Sequence, residues 1–258
     1  MSVDFSLAHP IVPRLEVRER TGSTNADLRA HAGDVVGWPH LSTIVTRDQT
    51  AGRGRLDRSW VAPAGTALAV SVLLRALPLD PATRGWIPLA AGVAMSDAVA
   101  AQLPEHDVGV KWPNDVLVDG RKICGILAEA TGDAVVVGAG VNTAMTVEQL
   151  PVPTATSFAA LDVEVDEDRL LAAYLTALDD LLSTLVSTGD AGRSGLHAAA
   201  TARCTTIGQA VRVSLPAGRI LEGVATALDP EGRLVVSVDG EQQAISAGDV
   251  VHVRPAGN

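Results

Sequence analysis

The sequence predicts an α+β chain, a larger unit of interspersed strands and helices followed by a small barrel of about five strands. Three observations carry this reading. Before residue 204, β-branched runs such as TALAVSVLL and AVVVG share the chain with a helical-period segment, Glu167 to Val186. From Thr205 onward only short β-runs occur, separated by Pro, Gly and Asp-Gly signals. The composition, 47% apolar and 19% charged over 258 residues, is that of a globule long enough for a main domain and a satellite, which we place at 1–203 and 204–258.

Taken in order, residues 14–20 (RLEVRER) alternate like a strand, and STNADLRAHAG reads as a helix capped by Ser23 or Thr24 with Gly33 past its end. LSTIVTRDQT is a β-rich run. TALAVSVLLR reads as a buried strand, and a helix with a small apolar packing face follows from about Pro81 to Gln102. VGVKW, DVLVDGRKICGILAEA and AVVVGAGVN are strands again, the second broken by the hairpin signal Asp119-Gly120. The residue before Pro113 is biased toward extended backbone, so Trp112 is expected to continue its strand while Asn114 and Asp115 turn. After LPVPTATS come the leucine-spaced helix and a further helical stretch to about Ala202, then QAVRVSL, RILEGVATAL, RLVVSVDG and QQAISAGDVVHVRP.

The balance of charge excludes several classes. Formal net charge is -10 and the pI about 5.0, whereas binding a phosphate backbone needs a broad basic surface. No apolar run approaches the ~20 residues that span a bilayer, and the start, MSVDFSLAHP, lacks the basic residues of a signal peptide. No membrane association and a cytoplasmic location are therefore expected. Two cysteines without a CxxC pair and six scattered histidines give neither a disulfide framework nor a zinc site.

Against that acidity, QTAGRGRLDRSW (Gln49 to Trp60) packs three arginines and two glycines into twelve residues. An RG-rich nucleic-acid arm fits poorly with the net charge. The other readings are a loop around one small anion, its backbone N–H groups and guanidinium forks meeting phosphate or carboxylate oxygens, and a plain solvated loop. It is neither a Walker loop nor a dinucleotide fingerprint. A second cluster, KWPNDVLVDGRKICGILAE, brings Lys111, Asn114, Asp115, Arg121 and Lys122 among apolar strands, reading either as a convergent site or as turn formers with solvated edge lysines.

TGSTN (21–25), QTAGRGR with RSW (49–60), VKWPNDVLVDGRKICGIL (110–127) and GAGVN (138–142) occur in an order that resembles the biotin protein ligases, also called biotin-[acetyl-CoA-carboxylase] ligases. The likeness spans nearly the whole chain. It implies a mixed β-sheet catalytic domain of the biotin/lipoate ligase type with helices packed on it, and a C-terminal SH3-like β-barrel. With Ser23 so near the first residue, a ligase without the family's amino-terminal helix-turn-helix repressor domain is expected.

The resemblance implies activation of biotin by ATP as biotinyl-5'-AMP, followed by transfer to a lysine of a biotin carboxyl carrier protein domain. Biotin is substrate, ATP co-substrate and Mg2+ the metal, with no permanently bound cofactor. By the same resemblance Gly52, Arg53, Gly54 and Arg55 lie along biotin, Arg55 and Lys122 neutralise carboxylate and α-phosphate, and Ser23, Thr24, Asn25, Gln49 and Gly125 complete the biotin set. Arg58, Asn114, Trp60 and Asn142 serve ATP, the last two its adenine; Asp115 is the magnesium ligand, and Lys111 a catalytic candidate. Lys111 reads equally as a salt-bridge residue, Trp112 as packing, and Cys124 as core rather than a thioester-forming nucleophile. Asp57 departs from the family's glycine at that position. The rivals are a lipoate or octanoate ligase or transferase, and a non-catalytic biotin sensor. The sequence leaves monomer and homodimer open.

Overall fold

The computed structural model describes residues 4–56, 58–215, 219–246 and 249–252; Asp57 lies outside them. The first strands and helix are β1 (Leu15–Arg18), α1 (Thr24–His31), β2 (Thr43–Thr46), a two-stranded hairpin β3 (Gly52–Arg53) and β4 (Ser59–Trp60), and β5 (Ala67–Leu74). Then come α2 (Ile87–Ala100), β6 (Val108–Lys111), β7 (Asp115–Val118), β8 (Arg121–Thr131), β9 (Ala134–Asn142), α3 (Glu167–Thr188) and α4 (Leu196–Arg203). The C-terminal strands are β10 (Ala210–Ser214), β11 (Ile220–Leu228), β12 (Leu234–Val238), β13 (Glu241–Ile245) and β14 (Asp249–His252).

Seven strands form one sheet in the order β1-β2-β5-β9-β8-β7-β6. β1 runs parallel to β2 and every other neighbour is antiparallel, which makes the sheet mixed. The period-2 rule divides its two faces. Leu68, Val70, Val72 and Leu74 of β5 join Val137, Ala139 and Val141 of β9 in the main core with α2 and α3. Leu73 and Val136 point the other way and pack with Leu28 of α1, Trp38 and Ile44. α1 is capped as expected: Ser23 Oγ accepts from Ala26 N.

α3 has Asp166 as N-cap and Gly189 at φ 64° as its C-cap, the pairing of side-chain acceptor and left-handed terminator that stops both ends of a helix. Its 22 residues are, by length and composition, long and apolar enough to cross a membrane, a feature the run-by-run reading did not pick out. Leu170, Leu171, Leu175, Leu178, Leu182 and Leu185 are nonetheless buried in the main core.

Two expectations are corrected in detail. Trp112 does not extend β6: Lys111 pairs directly with Asp115, so Trp112, Pro113 and Asn114 are the three residues of the reversal, with the Trp112–Pro113 peptide cis. The C-terminal strands form an antiparallel sheet, β13-β12-β11-β10-β14, in which no ladder joins β13 to β14 among the described residues; the architecture accords with an SH3-like fold without a closed barrel. Asp119 and Gly120, both at positive φ (49° and 73°), make the expected hairpin between β7 and β8. The helix expected from Pro81 begins as a 3-10 turn, Thr83–Trp86, and becomes α-helical at Ile87.

The two sheets are tied together by indole N–H groups. Trp86 Nε1 donates to Pro230 O at 2.9 Å and Trp112 Nε1 to Gly232 O at 3.0 Å, so the turn between β11 and β12 is held by the large sheet and its helix. Gly232 has φ 79°, and a Cβ there would press on the Trp86 ring at 3.2 Å.

Leu178 is fully buried on the α3 face of the core. Leu178→Ala is expected to destabilise the fold by ~3 kcal/mol, read as a lower denaturation midpoint at unchanged slope; a loss below half a kcal/mol would contradict the packing described.

Candidate functional site

The face of the sheet toward α1 has a floor almost without side chains. Gly125 of β8 pairs directly with Gly140 of β9, and Gly140 with Ala69 of β5; one step along, Leu127, Gly138 and Ser71 are in register. Those glycines make room for groups lying over them. A Cβ on Gly140 would come within 2.7 Å of the Trp60 ring, one on Gly125 within 3.0 Å of Lys122 Nζ, and one on Gly138 would collide with the Asn25 amide. The result is a cleft of about 840 Å³, counting its open mouth.

Three separate segments wall the cleft. Residues 21–25 and 49–51 run side by side: Thr50 N donates to Thr21 O at 2.9 Å and Ala51 N to Gly22 O at 2.7 Å. Their side chains interlock, since Thr24 N and Thr24 Oγ1 both donate to Gln49 Oε1, at 2.9 and 3.1 Å. The glycine-arginine segment then crosses the cleft as the β3–β4 hairpin. Its tip is closed by Gly54 N donating to Arg58 O at 2.6 Å, and Leu56 takes φ 55° there.

The third wall is the 111–125 segment. Arg55 Nη1 donates to Asn114 Oδ1 at 2.7 Å, joining the hairpin to the second cluster. Asn114 is itself fixed by Nδ2 donating to Ile126 O at 2.9 Å. Lys122 Nζ lies 2.6 Å from Asp115 Oδ1. The described lining of the cleft therefore carries Arg53, Arg55, Arg58 and Lys122, with Asp115 as its one carboxylate, inside a chain of net charge -10.

Of the residues singled out from sequence, Ser23, Thr24, Asn25, Gln49, Arg53, Gly54, Arg55, Arg58, Trp60, Asn114, Asp115, Lys122 and Gly125 line this cleft. Gly52, Lys111 and Asn142 do not. Gly52 stands behind the wall, where a Cβ would meet Gln49 Nε2 at 2.5 Å. Lys111 ends β6 opposite Asp115 and is close enough to His252 to reinforce, after burial, the lowering of that imidazole's pKa. Asn142 is buried and its Nδ2 donates to Thr156 O at 2.9 Å.

Sequence reasoning missed the floor, Gly138 and Gly140, although both stand in the GAGVN run; two glycines at spacing two in a strand put both bare positions on one face. It also missed Ser71, which stands in no motif, and Glu129, which ends the second cluster but was not singled out. A second cleft, reaching to Glu231, Gly232 and Arg233 of the C-terminal sheet, shares Arg55, Asn114, Ile126 and Leu127 with the first.

Among the described residues Asp115 is the one acidic group lining the cleft, and no set of three or more His, Cys, Asp or Glu side chains able to hold an ion occurs. That fits an ion taking one protein carboxylate and filling its remaining positions with water and phosphate oxygens, the habit of magnesium. Cys124, in contrast, faces the core, where burial pushes its thiol up to about 12. Burial raises Cys204 as well. At pH 8 neither is a thiolate, so both are expected to resist iodoacetamide in the folded chain and to alkylate only on unfolding; mass spectrometry showing native labelling at Cys124 would contradict this.

Residues 18–142 match the Biotin/lipoate A/B protein ligase family and residues 206–253 the Biotin protein ligase C terminal domain. The chain is 41% identical over 243 residues to the biotin–[acetyl-CoA-carboxylase] ligase of Mycobacterium tuberculosis, covering 93% of this chain and 90% of that one. It is 32% identical to the enzyme of that name from Paracoccus denitrificans, covering 90% and 97%. In fold it is similar to the biotin protein ligase of Aquifex aeolicus in complex with biotin and ATP (TM-score 0.77, 23% identity, 94% of this chain and 100% of that one). The ligase of Leishmania major in complex with biotinyl-5-AMP is a further likeness (TM-score 0.60, 25% identity, 91% and 99%). A glycine-floored cleft where an arginine hairpin meets a lysine-bearing hairpin, in a sequence this close to ligases along almost its full length, places the chain in the biotin protein ligase family.

Proposed function

We propose that the chain activates biotin with ATP as biotinyl-5'-AMP and transfers the biotinyl group to a lysine of a biotin carboxyl carrier protein domain. The observation that carries this reading is the Arg55–Asn114 hydrogen bond at 2.7 Å, which brings the cations of two segments far apart in sequence into one cleft beside Lys122. In the first step a carboxylate oxygen attacks the α-phosphorus and pyrophosphate leaves. Two anions must approach, and Arg55 and Lys122 offset their repulsion in a site shielded from water. In the second step the acceptor amine attacks the acyl carbon, AMP leaves, and the amine loses a proton. No side chain of the enzyme is acylated; the chain positions reactants and stabilises charge.

Biotin's ureido group belongs at the polar end, where Ser23, Thr24, Asn25 and Gln49 meet. A buried ureido needs both acceptors and donors, and Gln49, whose Oε1 is taken by Thr24, turns its amide nitrogen toward the hairpin. The valeryl chain runs between the Asn25 end and Lys122, beside the groups that the glycine floor admits, and Arg53 and Gly54 lie along it. Trp60, Arg58 and Asn114 serve ATP, and Asn142 acts from behind the wall. Asp115 would hold magnesium, which neutralises phosphate charge; Lys111 supports that end from β6. We assign catalysis to residues 1–203 and a supporting sheet to 204–258, with no nucleic-acid partner, in the cytoplasm. Asp57, which stands where the family has glycine, weakens closure of the segment relative to a glycine.

Incubation with ATP, Mg2+ and labelled biotin is expected to yield biotinyl-adenylate, and a carrier domain to become labelled; preference for lipoate or octanoate would overturn the reading. Lys122→Ala is expected to reduce adenylate formation on the order of 100-fold or more with an unchanged circular dichroism spectrum, and full activity would remove the role given to Lys122. Asp57→Gly is expected to slow adenylate release; an equal or faster rate refutes the effect assigned to Asp57.

A further inference from the structure

The polar end of the cleft is wired through two side chains that the sequence did not single out. The Ser71 hydroxyl is buried, 2.6 Å from Asn25 Oδ1 and 2.7 Å from Thr24 Oγ1. The hydroxyl's one hydrogen is shared between these two acceptors, and the amide is oriented by what its nitrogen end faces. The nitrogen end then donates to Leu127 O at 3.3 Å and to Glu129 Oε2 at 2.9 Å. Asn25 cannot rotate without giving up all three bonds.

Glu129 does more than terminate that chain. Its other oxygen, Oε1, lies 3.0 Å from Arg29 Nη1 on α1 and 3.4 Å from Arg53 Nη1 on the β3–β4 hairpin, and its side chain is only 16% exposed. One carboxylate thus touches the amide that orients the ligand pocket, the helix behind it and the strand that crosses its mouth. We propose that Glu129 is a positioning residue that couples closure of the glycine-arginine hairpin to the polar end of the cleft. The proposal rests on the biotin-activating function given above.

The division of labour between its oxygens makes this coupling reversible. Arg29 remains on Oε1 when Arg53 departs, so opening the hairpin never leaves the carboxylate without a counter-charge, and the cost of opening stays low. When Arg53 returns, it completes a charge-assisted contact whose geometry depends on Asn25 holding Oε2 in place. A ligand that occupies the pocket and immobilises Asn25 therefore favours the closed hairpin, and the closed hairpin steadies the pocket.

The test follows preformed biotinyl-adenylate in the full chain, measuring its dissociation rate together with KM for biotin and kcat of adenylate formation. Glu129→Gln keeps an oxygen for Asn25 and removes the charge that attracts the arginines. It is expected to speed release and raise KM for biotin by about three- to tenfold, the size of effect one half-exposed ion pair supports, with kcat within about twofold and the melting temperature nearly unchanged. Arg53→Gln, which also removes a residue lying along biotin, is expected to speed release and raise KM at least as much, and the double variant to be no worse than Arg53→Gln alone. Multiplicative effects in the double variant, or a change in melting temperature without change in release and KM, overturn the coupling. If Glu129→Gln does not reach the folded state, Glu129→Asp, which keeps the charge and shortens its reach to Arg53 and Asn25, decides alone: unchanged release and KM overturn the proposal. Wild-type chain that forms no adenylate would sink the function and this inference together, whereas adenylate formed normally and released equally by all variants sinks the inference only.

Discussion

The site depends on a close approach. Gly125, Gly140 and Ala69 lie side by side across three neighbouring strands, so nothing larger than a methyl group rises from the sheet under the Lys122 ammonium and the Trp60 ring. A β-sheet buried on both faces normally fills each face with Val, Ile or Leu. Here β9 does so on the side of α2 and α3 with Val137, Ala139 and Val141, and leaves the other side bare at Gly138 and Gly140. Glycine in a strand costs stability through lost packing and greater freedom of the unfolded chain. The large core beneath, continuous from β5 to α3, offsets that loss and keeps the floor flat.

On that floor the electrostatics follow from chain paths rather than from composition. The arginine hairpin is short enough for its tip to close on itself between Gly54 and Arg58, and long enough for Arg55 to reach Asn114. Asn114 sits in a three-residue reversal whose ends, Lys111 and Asp115, are paired strand residues, so the group that receives Arg55 is carried by the sheet. An acidic protein can in this way hold an anionic intermediate: the bulk of its negative charge lies on solvated surface, screened within about 8 Å at physiological salt, while four cations share one wall.

Much of this was legible in the sequence where local chemistry decides structure. Asp119-Gly120 announced a hairpin because both positions take positive φ, and Ser23 announced a helix start because its oxygen caps a free N–H. The motifs placed most of the cleft wall. What stayed hidden depends on register. Whether Trp112 extends a strand or turns is settled by Lys111 facing Asp115, a pairing no single segment encodes. The partnership of Ser71 with Asn25 joins residues 46 positions apart, and that of Glu129 with Asn25 spans 104. That Asn142, assigned to adenine by resemblance, is buried with its amide donating to a backbone carbonyl is a fact of packing that its run does not report. The C-terminal strands were counted correctly as five, but whether their outer edges meet is a matter of curvature, which alternation does not report.

The two indole bonds from Trp86 and Trp112 to the β11–β12 turn carry a mechanical corollary. Trp112 is separated from Asn114 by Pro113 alone, whose ring restricts rotation of the backbone between them. The side chain that moors Arg55 is thus two residues from an anchor shared with the small sheet, and the tailpiece of the molecule helps fix where the far bank of the cleft stands.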